Sequence, residues 1–169
     1  MKKVVGVVLG LALIVGVYLV TTWAVEPKES PIVSSGIPPG ATPEVVEYVH
    51  DGDTLFLEDG RKVRLLGVNT PEIGDSRECY GDEATDLLRS LLPKGIKVWV
   101  EHDVEPLDQY GRSLLFVYTN DATNVNLELL REGAAEVEMY KPNVLLRDEV
   151  YAAEDAARSA GLGLWSACR

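Results

Sequence analysis

Several kinds of residue are scarce in this chain of 169 residues, and each shortage argues against a class of site. There are two cysteines and two histidines, with no CxxC or HxxxH spacing, so the sequence does not indicate a zinc site. His50 and His102 lack partners at a catalytic spacing, and we interpret both as structural or surface residues. Lys and Arg number 16 against 27 Asp and Glu, a net charge of −11. Binding to a phosphate backbone would therefore need a local basic site or a metal ion.

The first 25 residues differ from the rest of the chain. Lys2 and Lys3 precede a run from Val4 to Val25 that has no charged side chain. Roughly 20 helical residues cross a bilayer, so the run predicts an N-terminal transmembrane anchor. A cleaved signal peptide and a buried core helix remain alternatives, although a signal peptide usually has a shorter apolar region. The two lysines place the remainder outside the cytoplasm, anchored to the cell membrane or secreted after cleavage.

Residues 26–43 contain five prolines with several Ser and Gly residues, a composition typical of an extended tether. The folded domain is therefore expected to span residues 44–169, and we expect it to be monomeric. In an exported domain, Cys79 and Cys168 would most simply form one disulfide. Two unrelated thiols remain the alternative.

The order of elements predicts an α+β fold that is mainly β. Strands are expected over Val45–Val49, Thr54–Glu58 and Lys62–Val68, because apolar residues alternate there and Asp-Gly pairs separate the runs. A helix follows, then two strands within residues 95–119, then two helices that end at Gly133 and Gly161. Five short strands in an antiparallel meander leave exposed edges. Closure into a small barrel covered by three helices removes those edges.

Four polar motifs stand beside these strands: "DGDT" at a hairpin, Arg64 in the third strand, "NTPE" directly after it, and "DQYGR" before the fifth strand. Taken singly, each is ordinary turn chemistry and has a purely structural explanation. Taken together, their order and spacing are much more specific.

The set resembles the thermonuclease (staphylococcal nuclease-like) family, from about Glu44 to Trp165. The resemblance includes "DGDT", "VRLLGVNTPE", "YGDEA", "DQYGR", "NLELLREGAAEV", "YKPN" and "GLWS". It implies an OB-fold barrel of five strands with three helices. It also implies a calcium-dependent phosphodiesterase that acts on DNA or RNA, single strands preferred, and leaves 3′-phosphate ends.

The resemblance assigns a role to each matching residue. Asp53 corresponds to a calcium-binding aspartate, Asn69 falls where many members have a second one, and Thr70 would offer its backbone carbonyl. Asp51 would lie near the metal ion. Glu72 corresponds to the general base, Arg64 and Arg112 to the two arginines that hold the phosphate, and Tyr140 to a tyrosine of the nucleotide pocket.

These residue types suit the chemistry. A divalent cation with oxygen ligands neutralises the phosphodiester and orients a water molecule. A guanidinium binds two phosphate oxygens at once, and a carboxylate can accept the proton of the water.

Three residues depart from the family pattern. Asn69 offers a neutral carbonyl where an aspartate would bring a charge, which predicts weaker calcium binding. Glu138 stands where a better-studied form of the motif has a tyrosine, and Gln109 stands where lysine is common. These changes suggest weak, salt-sensitive substrate binding. They keep open two alternatives: an OB-fold module that binds nucleic acid or protein without cutting, and a surface protein whose barrel is only structural.

Overall fold

The structure, a computed structural model, describes residues 36–168 of the chain. The expected membrane segment, residues 1–25, lies outside the described residues, as does the first part of the tether. Within residues 36–168, no helix combines the length and the apolar character needed to cross a membrane.

Seven strands and four α-helices succeed one another along the described residues. In chain order they are β1 (Thr42–Val49), β2 (Thr54–Leu57), β3 (Lys62–Leu65), β4 (Gly67–Asn69), α1 (Gly81–Leu91), β5 (Lys97–Glu101), β6 (Ser113–Tyr118), α2 (Val125–Arg131), β7 (Glu136–Glu138), α3 (Arg147–Ala160) and α4 (Leu164–Ala167). A 3-10 turn, Gly74–Ser76, lies between β4 and α1.

Five of the strands close into a barrel in the order β1-β2-β3-β6-β5, with β5 pairing back onto β1. This confirms the predicted five-stranded barrel of an α+β fold. The Asp-Gly turns join β1 to β2 and β2 to β3 in antiparallel pairs, as expected. Residues alternate between the two faces of each strand, so Leu55, Leu57 and Val63 point inward and are fully buried.

The prediction of an antiparallel meander was wrong at one pair. Strands β3 and β6 run parallel, with Arg64 opposite Leu114. A parallel pair needs a long crossover, and α1 and β5 lie in the chain between these two strands.

The predicted strand Lys62–Val68 is also two strands. Gly67 has a φ of +76°, a left-handed conformation that glycine adopts without strain, and there the chain leaves the barrel. Strand β4 then pairs with β7 in a separate two-stranded sheet, Gly67 opposite Glu138 and Asn69 opposite Glu136. This sheet brings residues 136–138 close to the end of β3.

The helices cover the barrel, and a buried side chain joins α2 to it. The three predicted helices are present, and a one-turn helix, α4, adds to them. Asn126 of α2 is fully buried. Its amide donates to the carbonyls of Leu66 (2.8 Å) and Leu115 (3.1 Å) and accepts from the backbone N–H of Val117 (3.0 Å). These bonds hold α2 against the point where β3 and β6 meet.

Candidate active site

Asp53 links the hairpin before β2 to the turn after β4. Its residue is 4% exposed, and its Oδ1 accepts from the Thr54 hydroxyl at 3.0 Å. Its Oδ2 accepts from the backbone N–H of Thr70 at 3.1 Å and from the Thr70 hydroxyl at 3.2 Å, and it forms an ion pair with Arg64. Two turns that are 17 positions apart in sequence are therefore joined through one buried carboxylate.

Gly52 allows these two turns to approach each other. A Cβ at this position would lie 2.5 Å from the Thr70 hydroxyl and 2.7 Å from its Cβ, closer than atoms in real structures come. Only glycine leaves room for Thr70 here, so the Asp-Gly pair has a role beyond making a hairpin.

Asp51 brings a second carboxylate to the same place. Its Oδ1 accepts from the backbone N–H of Asp53 at 3.1 Å. Burial, and then the negative charge of Asp53, raise the pKa of Asp51 above its ordinary value. His50 lies with Nε2 4.0 Å from Asp51 and is largely exposed. A cation bound here would relieve the repulsion between the two carboxylates.

Arg64 lies at the centre of the site. It projects from β3 opposite Thr54, and its side chain is 14% exposed. Besides the ion pair with Asp53, its Nη2 donates to Asn69 Oδ1 and to Glu138 Oε2, both at 2.9 Å. Burial would lower the pKa of Arg64, but the charges of Asp53 and Glu138 raise it. The guanidinium is thus held by three acceptors from three separate segments.

The calcium ligands expected from the family resemblance are the carboxylate of Asp53, the amide oxygen of Asn69 and the backbone carbonyl of Thr70, which are oxygens of the kind that calcium takes. In the structure, Arg64 contacts both the Asp53 carboxylate and the Asn69 amide oxygen. Among residues 36–168 no group of three or more His, Cys, Asp or Glu side chains forms a metal site. Weaker calcium binding through Asn69 stays a prediction.

Arg112 is fixed by the "DQYGR" turn that precedes β6. Its Nε donates to Asp108 Oδ2 at 2.5 Å, its backbone N–H donates to Asp108 Oδ1 at 2.9 Å, and its guanidinium lies 5.6 Å from the Tyr110 ring centre. Burial would raise the pKa of Asp108, but these hydrogen bonds and the charge of Arg112 lower it. Asp108 therefore stays ionised and orients Arg112.

Arg64 and Arg112 line the same cleft, which has a volume of about 480 Å³. Glu138 and Tyr140 line it as well, and Tyr140 is 70% exposed. The Tyr140 hydroxyl donates to Glu138 Oε1 at 2.8 Å, which raises the pKa of Tyr140. The structure thus brings together both arginines and the tyrosine that the sequence singled out.

Glu72 lies apart from these contacts. It is exposed, and it is not among the residues that line the cleft. Its backbone is fixed, since its N–H donates to Glu78 Oε2 at 3.0 Å and its carbonyl accepts from the Glu78 N–H at 2.9 Å. The next residue, Cys79, is joined to Cys168 by a disulfide with a Cα–Cα distance of 5.7 Å. The segment that carries Glu72 is therefore fastened to the end of α4.

The sequence motifs did not reveal two of the contacts at this site. Asp108 belongs to "DQYGR", but its role in orienting Arg112 follows only from the turn geometry. Glu138 stood out as a departure from a family pattern, and its bond to Arg64 spans 74 positions. A long-range pair of this kind has no local sequence signal.

Comparison with known families settles which family this is. The family model described as staphylococcal nuclease homologue matches residues 62–167, which include β3, both arginines and all four helices. The chain belongs to the staphylococcal nuclease family.

Named relatives agree with this membership. The thermonuclease of Staphylococcus intermedius is 35% identical over 127 residues, covering 72% of this chain and 74% of the relative. The thermonuclease of Staphylococcus hyicus is 30% identical over 174 aligned positions, covering 98% of this chain and 99% of the relative. Endonuclease YncB of Bacillus subtilis is 38% identical over 124 residues, covering 69% of this chain and 58% of the relative. The similarity to nucleases of this family thus extends over the whole barrel.

Proposed function

We propose that this staphylococcal nuclease family member is a calcium-dependent nuclease that hydrolyses phosphodiester bonds of DNA and RNA. Family membership and relatives named thermonuclease and endonuclease support a hydrolase of nucleic acid. The observation that carries the proposal is that Arg64 and Arg112 face one cleft, with the buried carboxylate of Asp53 directly behind Arg64.

The two arginines would bind the scissile phosphate. Each guanidinium presents several N–H donors in a plane, which matches two phosphate oxygens at once. Arg112 is held by Asp108 and Tyr110, so little side-chain freedom remains to be lost when the phosphate binds. In a site of this kind, such donors stabilise the charge that develops on the phosphate oxygens and on the leaving oxygen.

Asp53, Asn69 and the carbonyl of Thr70 would hold the cation. When bound, the cation supplies positive charge that screens the phosphate and lowers the pKa of a water molecule. Glu72 would accept a proton from the attacking water, and the water would approach phosphorus in line with the departing oxygen. The Glu72 backbone is fixed and its side chain is exposed, so its carboxylate is accessible to water. By family resemblance, the products would carry 3′-phosphate ends.

Substrate form, assembly and location are part of the same proposal. An exposed Tyr140 beside the cleft can stack on an unpaired base, which supports a preference for single strands. We propose a monomeric domain, residues 44–169, on a tether, residues 26–43. The charge-free run of residues 4–25 supports an anchored, extracytoplasmic location.

One observation favours a second candidate function, a module that binds nucleic acid or protein without cutting it. Both arginines of the cleft are paired with carboxylates of the chain itself, Arg64 with Glu138 and Arg112 with Asp108. A binding module, however, would have no use for an exposed Glu72 on a segment that is held by Glu78 and by the disulfide.

Cleavage of a fluorescent single-stranded DNA by the full-length chain in mild detergent tests the proposal. We expect cutting with millimolar calcium and none with excess chelator. Glu72→Gln and Arg112→Ala should each lower kcat by about a hundredfold or more. Exposed residues supply matched controls: Glu132→Gln and Arg89→Ala should leave the rate unchanged. Full activity in Glu72→Gln or Arg112→Ala would refute the assigned roles, and binding without cutting in calcium would favour the second candidate.

The product ends need a separate measurement. The substrate is labelled on the 5′ side of the cut, so each labelled product carries its new end at the 3′ side. If that end is a 3′-phosphate, phosphatase treatment should change the mobility of the labelled product. An unchanged mobility would contradict this part of the proposal.

A further inference from the structure

The carboxylate of Glu138 takes up an N–H donor of Arg64 that a phosphate oxygen could otherwise use. It accepts a 2.9 Å hydrogen bond from Arg64 Nη2, and both residues line the cleft. The Glu138 side chain is 35% exposed, whereas Asp53, the other carboxylate on Arg64, is buried. Of these two acceptors, Glu138 is the one that a ligand in the cleft can displace.

Two further contacts keep Glu138 in this position. The Tyr140 hydroxyl donates to its second oxygen at 2.8 Å. Strand β7 places residue 138 opposite Gly67 of β4, directly after the end of β3 that carries Arg64. Glu138 is therefore held beside Arg64 by the backbone pairing and by a neighbouring side chain, and it stays close even after a ligand takes its hydrogen bond.

The charges that line the cleft cancel. Three basic residues, Arg64, Arg112 and Lys141, stand against three acidic residues, Glu105, Asp108 and Glu138. A ligand whose phosphate replaces Glu138 as the hydrogen-bond acceptor of Arg64 has the Glu138 carboxylate next to that phosphate. The resulting repulsion grows in proportion to the charge of that phosphate.

We propose that Glu138 determines substrate specificity by selecting singly charged phosphodiesters against doubly charged terminal phosphates. This inference rests on the proposed function for the identity of the phosphate-binding arginines. A phosphodiester inside a chain carries one negative charge, whereas a phosphomonoester at an end carries close to two above pH 7. The chain would therefore bind internal linkages in preference to phosphorylated ends.

The selectivity can be measured as binding, without cleavage. The full-length chain in mild detergent, at pH 8 with chelator, is titrated with two competitors of a fluorescent single-stranded oligonucleotide. One competitor is a dinucleoside monophosphate with hydroxyl ends, which carries a single diester. The other is a nucleoside monophosphate, which carries a monoester. Anisotropy gives a Kd for each.

Glu138→Gln keeps a side chain of the same shape and removes the charge. Each unit of phosphate charge should then bind about threefold to tenfold more tightly. We expect the Kd of the diester to fall by about that factor, and the Kd of the monoester, which carries close to two charges, to fall by about threefold to tenfold more. Glu132→Gln, at the exposed end of α2, makes the same change in net charge at a residue that does not line the cleft, and it should alter neither Kd by more than twofold.

Several outcomes would overturn the inference. They are an unchanged Kd in Glu138→Gln, an equal gain for both competitors, and an equal gain in Glu132→Gln. Tyr140→Phe is a second test variant. It removes the hydrogen bond from Tyr140 to Glu138 but keeps the Glu138 charge, so the ratio of the two Kd values should stay as in the wild type. A gain in affinity is not a result that misfolding produces.

Cleavage is measured in parallel, so that the two proposals fail separately. If the wild type does not cut but Glu138→Gln shows the expected shift in Kd, the proposed nuclease activity is refuted and the selectivity is supported. If the wild type cuts but Glu138→Gln shows no shift in Kd, the nuclease activity is supported and the selectivity is refuted.

Discussion

Removal of the Cys79–Cys168 disulfide should affect both the stability of the fold and the position of Glu72. The two cysteines are 89 positions apart, and both are exposed. Replacing them with serine therefore opens no cavity in the core, and the main effect is on the unfolded chain. For a closed loop of about 90 residues, the chain-entropy treatment gives about 4.6 kcal/mol, and measured values are often lower. We expect Cys79→Ser with Cys168→Ser to lower the free energy of unfolding by about 3–4.6 kcal/mol.

Urea unfolding followed by tryptophan fluorescence measures this loss. With an m-value of about 2 kcal/mol/M, the unfolding midpoint should fall by about 2 M. Stabilities of natural domains are commonly 5–15 kcal/mol, so the variant should still fold at low temperature. Dithiothreitol should move the wild type to the same midpoint and leave the double variant unchanged.

A local effect on activity should accompany the global one. Glu78, next to Cys79, holds the Glu72 backbone through two hydrogen bonds. Loss of the disulfide frees this segment from α4, so kcat should fall at a temperature at which the variant is fully folded, while KM changes little. An unchanged unfolding midpoint would refute the loop-closure reasoning. An unchanged kcat in the folded variant would show that Glu78 alone holds Glu72.

Three other changes test single contacts. Asn69→Asp adds a charged oxygen to the proposed cation site, and the calcium concentration for half-maximal cleavage should fall by about tenfold; an unchanged value would remove Asn69 from the site. Gly52→Ala places a methyl group 2.5 Å from the Thr70 hydroxyl, so Thr70 must move away from Asp53. The free energy of unfolding, measured with urea, should fall by about 1–3 kcal/mol, and most of the cleavage rate should be lost. A fully active variant would contradict the close approach of the two turns. Asn126→Ala removes three buried hydrogen bonds, and of their backbone partners the Leu115 carbonyl keeps a bond from the Leu66 N–H. The loss should cost about 2–4 kcal/mol, and a loss below 1 kcal/mol would mean that water replaces the amide.

Local chemistry made the hairpins and the helices predictable. Asp51-Gly52 and Asp59-Gly60 favour tight turns through the backbone conformations that these residues adopt, and both turns form as expected. Gly161 ends α3 with a φ of +64°, also as expected. Each of these features depends on a few adjacent residues.

Features that depend on distant residues were not predictable in the same way. The parallel pair of β3 and β6 joins residues about 50 positions apart, and no turn signal marks it. In the sequence, Gly67 looked like one residue of a continuous apolar strand. In the fold it has a positive φ where the chain leaves the barrel for β4, and a Cβ there would lie 3.2 Å from Val150. At the candidate site, resemblance named Arg64 and Arg112, but only the fold shows which carboxylates hold them.

The distance along the chain between Arg64 and Glu138 also has a consequence for synthesis. The cleft needs residues from β3, from the turn before β6 and from β7, and the last of these follow the first by 74 positions. At a translation rate of about 5–20 residues per second, roughly 4–15 seconds separate the appearance of Arg64 from that of Glu138. Within that interval Arg112 and β6, the last strand of the barrel, are made first, and β7 with Glu138 follows them. The cleft is therefore complete only after Asn143, the last residue along the chain that lines it, has been made.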